Sequence, residues 1–261
     1  MKKSILKYFF LGTILSIPYK LSPKFHFFLF KILVKFKLIS ILQDPVLNCV
    51  KGLLKKGNIV IDVGANRGTY SFYFKNLVGG NGEVYSFEPQ RKIYNQLKDN
   101  LKNTCNIFNN AISDINGTQI FYEHTEGAGP SSSLEKHDDL IIDGLTKKTK
   151  VKTLTLDMFC RDLNIVPNFI KIDAEGHDLN IINGSNQIIQ EYKPILIFEF
   201  FPNIQNMDKN NKTILFLKNN YEIRVIEKNM DLYEYLLGLK AERVSKFKGQ
   251  ENINIICIPK S

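Results

Sequence analysis

Asp62, Glu88 and Asp173 each stand at or beside the end of a short apolar run, and each is followed within three residues by glycine or proline. Carboxylates placed this way lie where open α/β sheets bind ligands, beyond the carboxyl ends of the strands. The first run, residues 59–63, passes into Gly64-Ala-Asn-Arg-Gly68. Glycines there let the backbone turn sharply and let a ligand come close, with no Cβ in the way. Residues 69–78 then read as a helix whose first N–H groups face the turn and attract a carboxylate or phosphate. Glu88 follows 20 residues after Gly68, and a carboxylate at the end of a second strand can accept two hydrogen bonds from ribose hydroxyls. The third run leads into Asp173-Ala-Glu-Gly-His177, three ionisable groups within five positions. Such groups can take the proton of a reacting hydroxyl. A neutral His177 has the better intrinsic pKa for a base.

The turn selects among nucleosides. A dinucleotide site needs G-x-G-x-x-G, whose middle glycine lets the backbone touch the pyrophosphate. Asn66 stands at that position, and the chain holds no G-x-x-x-x-G-K-[ST] loop for a nucleoside triphosphate. S-adenosyl-L-methionine (SAM) has a ribose and a carboxylate and no phosphate, so it suits this turn. On that reading Gly64, Ala65, Asn66 and Gly68 hold the methionine moiety, Glu88 holds the ribose, and Asp62 orders the turn or reaches the cofactor through water.

Six motifs then follow in order. They are Val60-Ile-Asp-Val-Gly-Ala-Asn-Arg-Gly-Thr-Tyr70, Phe87-Glu-Pro89, Asn110-Ala-Ile-Ser-Asp114 with Gly117, and Thr153-Leu-Thr-Leu-Asp157. Phe169-Ile-Lys-Ile-Asp-Ala-Glu-Gly-His-Asp178 with Asn183-Gly184, and Pro194-Ile-Leu-Ile-Phe-Glu199, complete the set. Through them the chain resembles the FkbM-type methyltransferases, a family of class I SAM-dependent enzymes, over about residues 59–200. The resemblance implies a Rossmann-like α/β fold with a mainly parallel seven-stranded sheet, helices on both faces and an antiparallel last strand. It implies that Asn110 and Ala111 sit near the adenine, and that the acceptor is a hydroxyl on a sugar, glycolipid, polysaccharide or secondary metabolite. Ser132 and Ser133 resemble a Ser-Ser-Leu element of the family and are candidate acceptor-pocket residues. His124 and His137 flank the same Gly/Ser-rich loop, and His124 is added to the pocket. Asp173, Glu175 and His177 are the catalytic candidates, with the family pattern favouring the two acids. Two carboxylates could hold Mg²⁺, but the Asp-Asn pair of catechol-type enzymes is not evident, and no metal is expected.

The elements that must position these groups alternate. Strands are expected at 59–63, 83–88, 106–110, 169–173, 194–200, 222–227 and 253–259, with further strands at 117–122 and 147–153. Helices are expected at 69–78, 91–102, 156–163, 209–219 and 231–239, and a loop at 125–133. This alternation gives a mainly parallel sheet with helices on both faces.

The charge is uneven. The chain carries +9, but residues 1–56 hold eleven lysines against Asp44 alone, and the remainder is near neutral. The domain itself therefore carries no basic footprint for nucleic acid. The chain divides into a basic, apolar helical arm at 1–56 and a methyltransferase domain at 57–261. Uncharged runs in the arm fall short of the roughly 18–20 residues that span a bilayer, and no small-residue cleavage site follows the first of them. The arm either lies on an anionic membrane surface through residues 1–40 or packs on the domain as a helical cap. Four cysteines are widely spaced, with no C-x-x-C, as expected of reduced thiols in the cytoplasm. The expected protein is a cytoplasmic enzyme, peripheral on the inner face of the membrane where the arm binds it. The alternatives are a non-catalytic SAM-binding, membrane-associated protein and, further off, a nicotinamide-dependent oxidoreductase.

Overall fold

The computed structural model describes residues 23–38, 44–124, 132–135, 146–200, 212–226, 230–231 and 253–260. At its centre lies β1 (Ile59–Val63), whose last four residues are buried, as befits a β-branched strand covered on both faces. It pairs in parallel with β2 (Glu83–Phe87) on one side and β7 (Phe169–Ile172) on the other. β3 (Asn106–Phe108) extends the sheet beyond β2, and β8 (Ile195–Phe200) extends it beyond β7, both in parallel. β11 (Ile253–Pro259) inserts antiparallel between β8 and β9 (Tyr221–Val225). The strand order is β10-β9-β11-β8-β7-β1-β2-β3, the mainly parallel sheet with an antiparallel last strand that the resemblance implied.

Three details differ from the expectation. Among the described residues the sheet has eight strands instead of seven, because the two-residue β10 (Met230–Asp231) pairs antiparallel with the edge strand β9. The helix expected at 231–239 otherwise lies outside the described residues, as do 209–211 of the helix observed at Lys212–Asn220 (α8). Strand three stops at Phe108, since Asn109 turns its amide back onto the carbonyls of Glu88 and Pro89 at 2.9 Å each. The additional strands form a separate sheet: β5 (Gly117–His124) and β6 (Thr146–Leu154) pair antiparallel over eight positions, and β6 also takes the short β4 (Ala111–Ile112).

Helices cover both faces. α3 (Thr69–Val78) and the arm helices α1 (Pro23–Lys35) and α2 (Pro45–Val50) share one apolar cluster that includes Phe30, Val34, Val50, Phe74 and Phe169. α5 (Leu156–Leu163), α6 (Asp178–Asn183), α7 (Asn186–Tyr192) and α8 cover the other with Phe159, Ile181, Ile189 and Leu217. α4 (Arg91–Leu101) buries Leu97 and Leu101, four residues apart and so on one face of the helix. Local chemistry sets the ends. Asp44 caps α2 through Leu47 N–H, with Pro45 at the first helical position. Thr155 caps α5, and Asp157, in its first turn, accepts from Gln187 and Ile188 N–H at the start of α7. Both arm helices are therefore packed on the domain, with the segment at 1–22 outside the described residues. The four cysteines are free thiols, two of them buried.

Candidate functional site

An open cleft of about 1670 Å³ lies beyond the carboxyl ends of β1, β2 and β7. It exceeds the roughly 300–1,000 Å³ of a pocket for one small molecule, so a cofactor and an acceptor fit side by side. Gly64, Ala65, Asn66, Glu88, Asn110, Ala111, Ser132, Asp173, Glu175 and His177 all border it, out of the residues picked from sequence.

The turn is built for close packing as much as for ligand approach. Gly64 adopts φ +73, and a Cβ there would lie 1.9 Å from the Asp173 carbonyl oxygen, so glycine lets the β1 turn rest on the end of β7. At Gly68, φ +92, a Cβ would meet Leu97 at 2.8 Å. Asn66 has φ +49, the left-handed conformation that asparagine tolerates better than most side chains. Its backbone N–H donates to Glu88 Oε2 at 3.1 Å.

Glu88 is buried at the end of β2, and its other oxygen accepts from Gln90 N–H at 2.9 Å. Each oxygen keeps further acceptor capacity for a ribose hydroxyl. Burial pushes the carboxyl up to about 7, against the two backbone N–H groups, which lower it, and with Asp62 and Asp173, which raise it.

Asp62 is sealed under the turn and does not border the cleft. Its Oδ2 accepts from Ser71 Oγ at 2.5 Å, which ties β1 to α3, and its Oδ1 lies 3.8 Å from Lys171 Nζ. Its contacts thus join β1 to α3 and to β7 beneath the turn, away from the cleft. Burial raises its carboxyl, and Lys171 and Ser71 oppose the rise. Lys171, the one charge within strand β7, is buried and donates to Asp173 Oδ2 at 3.0 Å, its ammonium 4.5 Å from the Tyr70 ring centroid. Burial alone would lower the Lys171 pKa, but Asp173 and Asp62 outweigh it and hold it raised.

Asp173 is half-exposed and shares the cleft wall with Glu175, whose φ of +51 is unusual for a non-glycine residue. Glu199, from β8, joins them: one oxygen each from Asp173, Glu175 and Glu199 falls within 4.8 Å of the others, and these are the described residues that could hold a divalent cation. Asp178, fully buried, clasps this corner by accepting from Ala174 and Glu199 N–H at 3.3 and 3.1 Å. Burial first, then Asp173 and Glu199, push its carboxyl well up.

His177 is less available as a base than a free imidazole. Its Nδ1 meets Glu135 Oε1 at 2.7 Å and its Nε2 meets Ser113 Oγ at 2.9 Å, so both ring nitrogens are engaged. Ser133 is a latch and not a wall residue: its hydroxyl donates to Ala174 O at 3.2 Å and its backbone bridges Tyr122. The His124 side chain and all of His137 lie outside the described residues.

Sequence reasoning missed Glu135, Ser113, Asn109 and Glu199, and it missed that His26 and Phe27 of the arm border the cleft. Glu199 had the same signal as the acids it did find, an acid at the end of an apolar run. The others come from segments that only the tertiary fold brings near.

A family model described as the methyltransferase FkbM domain matches residues 62–235. No curated protein matches the sequence. Among solved structures, the chain is similar to a methyltransferase FkbM from Methylobacillus flagellatus KT, at 16% identity and a TM-score of 0.48, over 79% of this chain and 45% of that one. The chain thus spans under half the length of that protein. It is also similar to a putative rRNA-methylase from Clostridium thermocellum, at 13% identity and a TM-score of 0.44, over 83% of this chain and 94% of that one. Aeropyrum pernix fibrillarin, solved with natively bound S-adenosyl-L-methionine, is similar at 8% identity and a TM-score of 0.42, over 78% of this chain and 67% of that one.

Proposed function

The chain belongs to the FkbM methyltransferase family, and from that premise we propose that it methylates a hydroxyl of a sugar, glycolipid, polysaccharide or secondary metabolite with SAM as donor. The observation that carries this reading is the seating of the Gly64 turn directly on the Asp173 backbone. It sets the cradle for the methionine end against a carboxylate that faces the same cleft. The residues fit the cofactor: a buried Glu88 with acceptor capacity for the ribose, a small-residue turn with no phosphate-binding glycine at position 66, and Asn110 and Ala111 bordering the cleft just past the end of β3.

When bound, SAM supplies a methyl group made electrophilic by the adjoining sulfonium. The chain supplies position and a proton acceptor. Lys171 fixes Asp173 through Oδ2, which leaves Oδ1 to take the proton of an acceptor hydroxyl as its oxygen attacks. Glu175, beside it, orients the acceptor. Ser132 also borders the cleft, and the Ser133 latch holds that segment to Ala174, between Asp173 and Glu175.

Calorimetry tests the first half: the folded protein binds SAM or S-adenosylhomocysteine, and the absence of heat would sink the proposal. Methyl-labelled SAM with a cell glycan extract tests the second. Asp173→Asn is expected to keep cofactor binding and to lose label transfer by roughly 10²–10⁴-fold. Cofactor binding without transfer to any extract would instead mark a non-catalytic binder.

A further inference from the structure

Helix α1 has two apolar faces that point in opposite directions. At about 3.6 residues per turn, Phe27, Phe30 and Val34 fall on one side. They are buried, with Phe27 and Phe30 edge-on to Phe72 of α3 at 5.7 and 6.4 Å. Phe25, Phe28, Ile32 and Phe36 fall on the other, with exposures of 51%, 56%, 36% and 64%. The stripe runs on past the helix end, since Phe36 N–H still donates to Ile32 O at 3.0 Å and Leu38 is also exposed. A helix docked on a globular domain needs one apolar stripe, with its outer face polar. A second stripe facing outward is an interaction surface.

Charge identifies the occupant. α1 contains no acid, and Lys24, Lys35 and Lys37 stand exposed on it and at its end. Asp44, the one acid in residues 1–56, is engaged by Leu47 N–H and the Tyr70 hydroxyl. The cleft that His26 and Phe27 border carries exposed Arg91, Lys92, Lys150 and Lys152 as well. A second copy on this face would set lysines against lysines, which costs affinity. An anionic lipid surface satisfies both features at once, taking phenyl rings into the headgroup boundary and ammonium groups onto phosphates. We propose that α1 seats the protein on an anionic bilayer surface through Phe28, Ile32 and Phe36, with the lysines on the lipid phosphates. At 13 residues α1 lies on such a surface and does not cross it; among the described residues no helix is long and apolar enough to span a membrane. Because the inner face of α1 borders the cleft, this seating brings the site to the bilayer.

Co-sedimentation of the full-length chain with vesicles of phosphatidylcholine, with and without phosphatidylglycerol, tests the proposal. Binding is expected to require phosphatidylglycerol and to weaken at high salt. Phe28→Ser with Phe36→Ser should weaken it about tenfold or more, and Lys24→Glu with Lys35→Glu and Lys37→Glu should abolish it. Both variants should melt like the parent, because the altered side chains are exposed. Wild type left in the supernatant, equal binding to pure phosphatidylcholine, or full binding by the phenylalanine variant would each overturn the proposal. A concentration-dependent dimer that the phenylalanine variant dissolves would also overturn it, in favour of a second copy.

Discussion

At Glu88, the proposed ribose contact would tie binding to protonation. Its carboxyl sits at about 7 because burial outweighs the two N–H groups that it accepts. Ribose hydroxyls donate to the ionised form, so affinity should rise with pH through that value and level off above it. Cofactor titrations are expected to show binding about tenfold weaker at pH 6 than at pH 8. Glu88→Gln should bind weakly with that dependence removed; a variant as pH-dependent as the parent would assign the effect elsewhere. Lys171 invites a second test. Lys171→Met leaves Asp62 and Asp173 without their shared cation, and losing one partner of a buried pair costs about 3–5 kcal/mol. Asp62 is already raised by burial, so the folded state binds the proton more tightly than the unfolded chain does. The loss should therefore be full at neutral pH and shrink as acidification protonates Asp62. Denaturant melts at several pH values measure it, and pairing with Asp62→Asn should restore part of the stability. These residues were legible because an acid, or a lysine, in an apolar strand is conspicuous in a sequence. Glu135 and Ser113 carry no such mark, since a solvated loop acid and a serine look ordinary until the fold sets them on either side of His177.

Among the elements, the strands and helices of the central βαβ unit could be read closely because their cores are apolar and their ends are marked by glycine, asparagine or proline. The helix at Leu156–Leu163 and the strand at Ile253–Pro259 fall where the pattern put them. α6 and α7, six and seven residues long, were too short to show a helical period, and the separate sheet of β4, β5 and β6 was invisible because pairing partners cannot be read from alternation alone. The glycines show how a correct motif can carry an incomplete reason. Glycine at 64 looked like ligand access, yet the nearest atom to its missing Cβ is the Asp173 carbonyl oxygen, and backbone cannot move aside as a side chain can. Gly64→Ala is expected to cost about 3 kcal/mol or more, combining overpacking with a positive φ. At Gly68 the obstacles are leucine side chains of α4, which can shift, so Gly68→Ala should cost about 1–3 kcal/mol. Urea midpoints compare the two, and equal losses would mean that backbone strain alone sets the cost.

For the whole molecule, the arm and the site form one mechanical unit. Asp44 at the start of α2 accepts from the Tyr70 hydroxyl at 2.8 Å, Tyr70 lies under the Lys171 ammonium, and Lys171 holds Asp173. Above this chain, Phe27 packs with Ala65 of the turn and with Leu97 and Leu101, while the Lys31 ammonium donates to Asn100 O at 3.2 Å. α1 thus supports the turn that would hold the methionine moiety, a closer tie than that of the helical cap the sequence offered as one of two alternatives. Truncating Phe27 tests that support. A buried Phe→Ala change costs up to about 3–5 kcal/mol, but here the loss is capped by the free energy of docking α1, because the helix can leave the domain. Phe27→Ala is therefore expected to lower the melting temperature modestly and to weaken cofactor binding several-fold through a loosened turn. Phe28→Ala, on the outward face, should change neither. Calorimetric titration of both variants decides the matter. If Phe27→Ala melts early but binds the cofactor as the parent does, α1 is a cap on the fold alone, and the turn is held by β1, β7 and α4 without it.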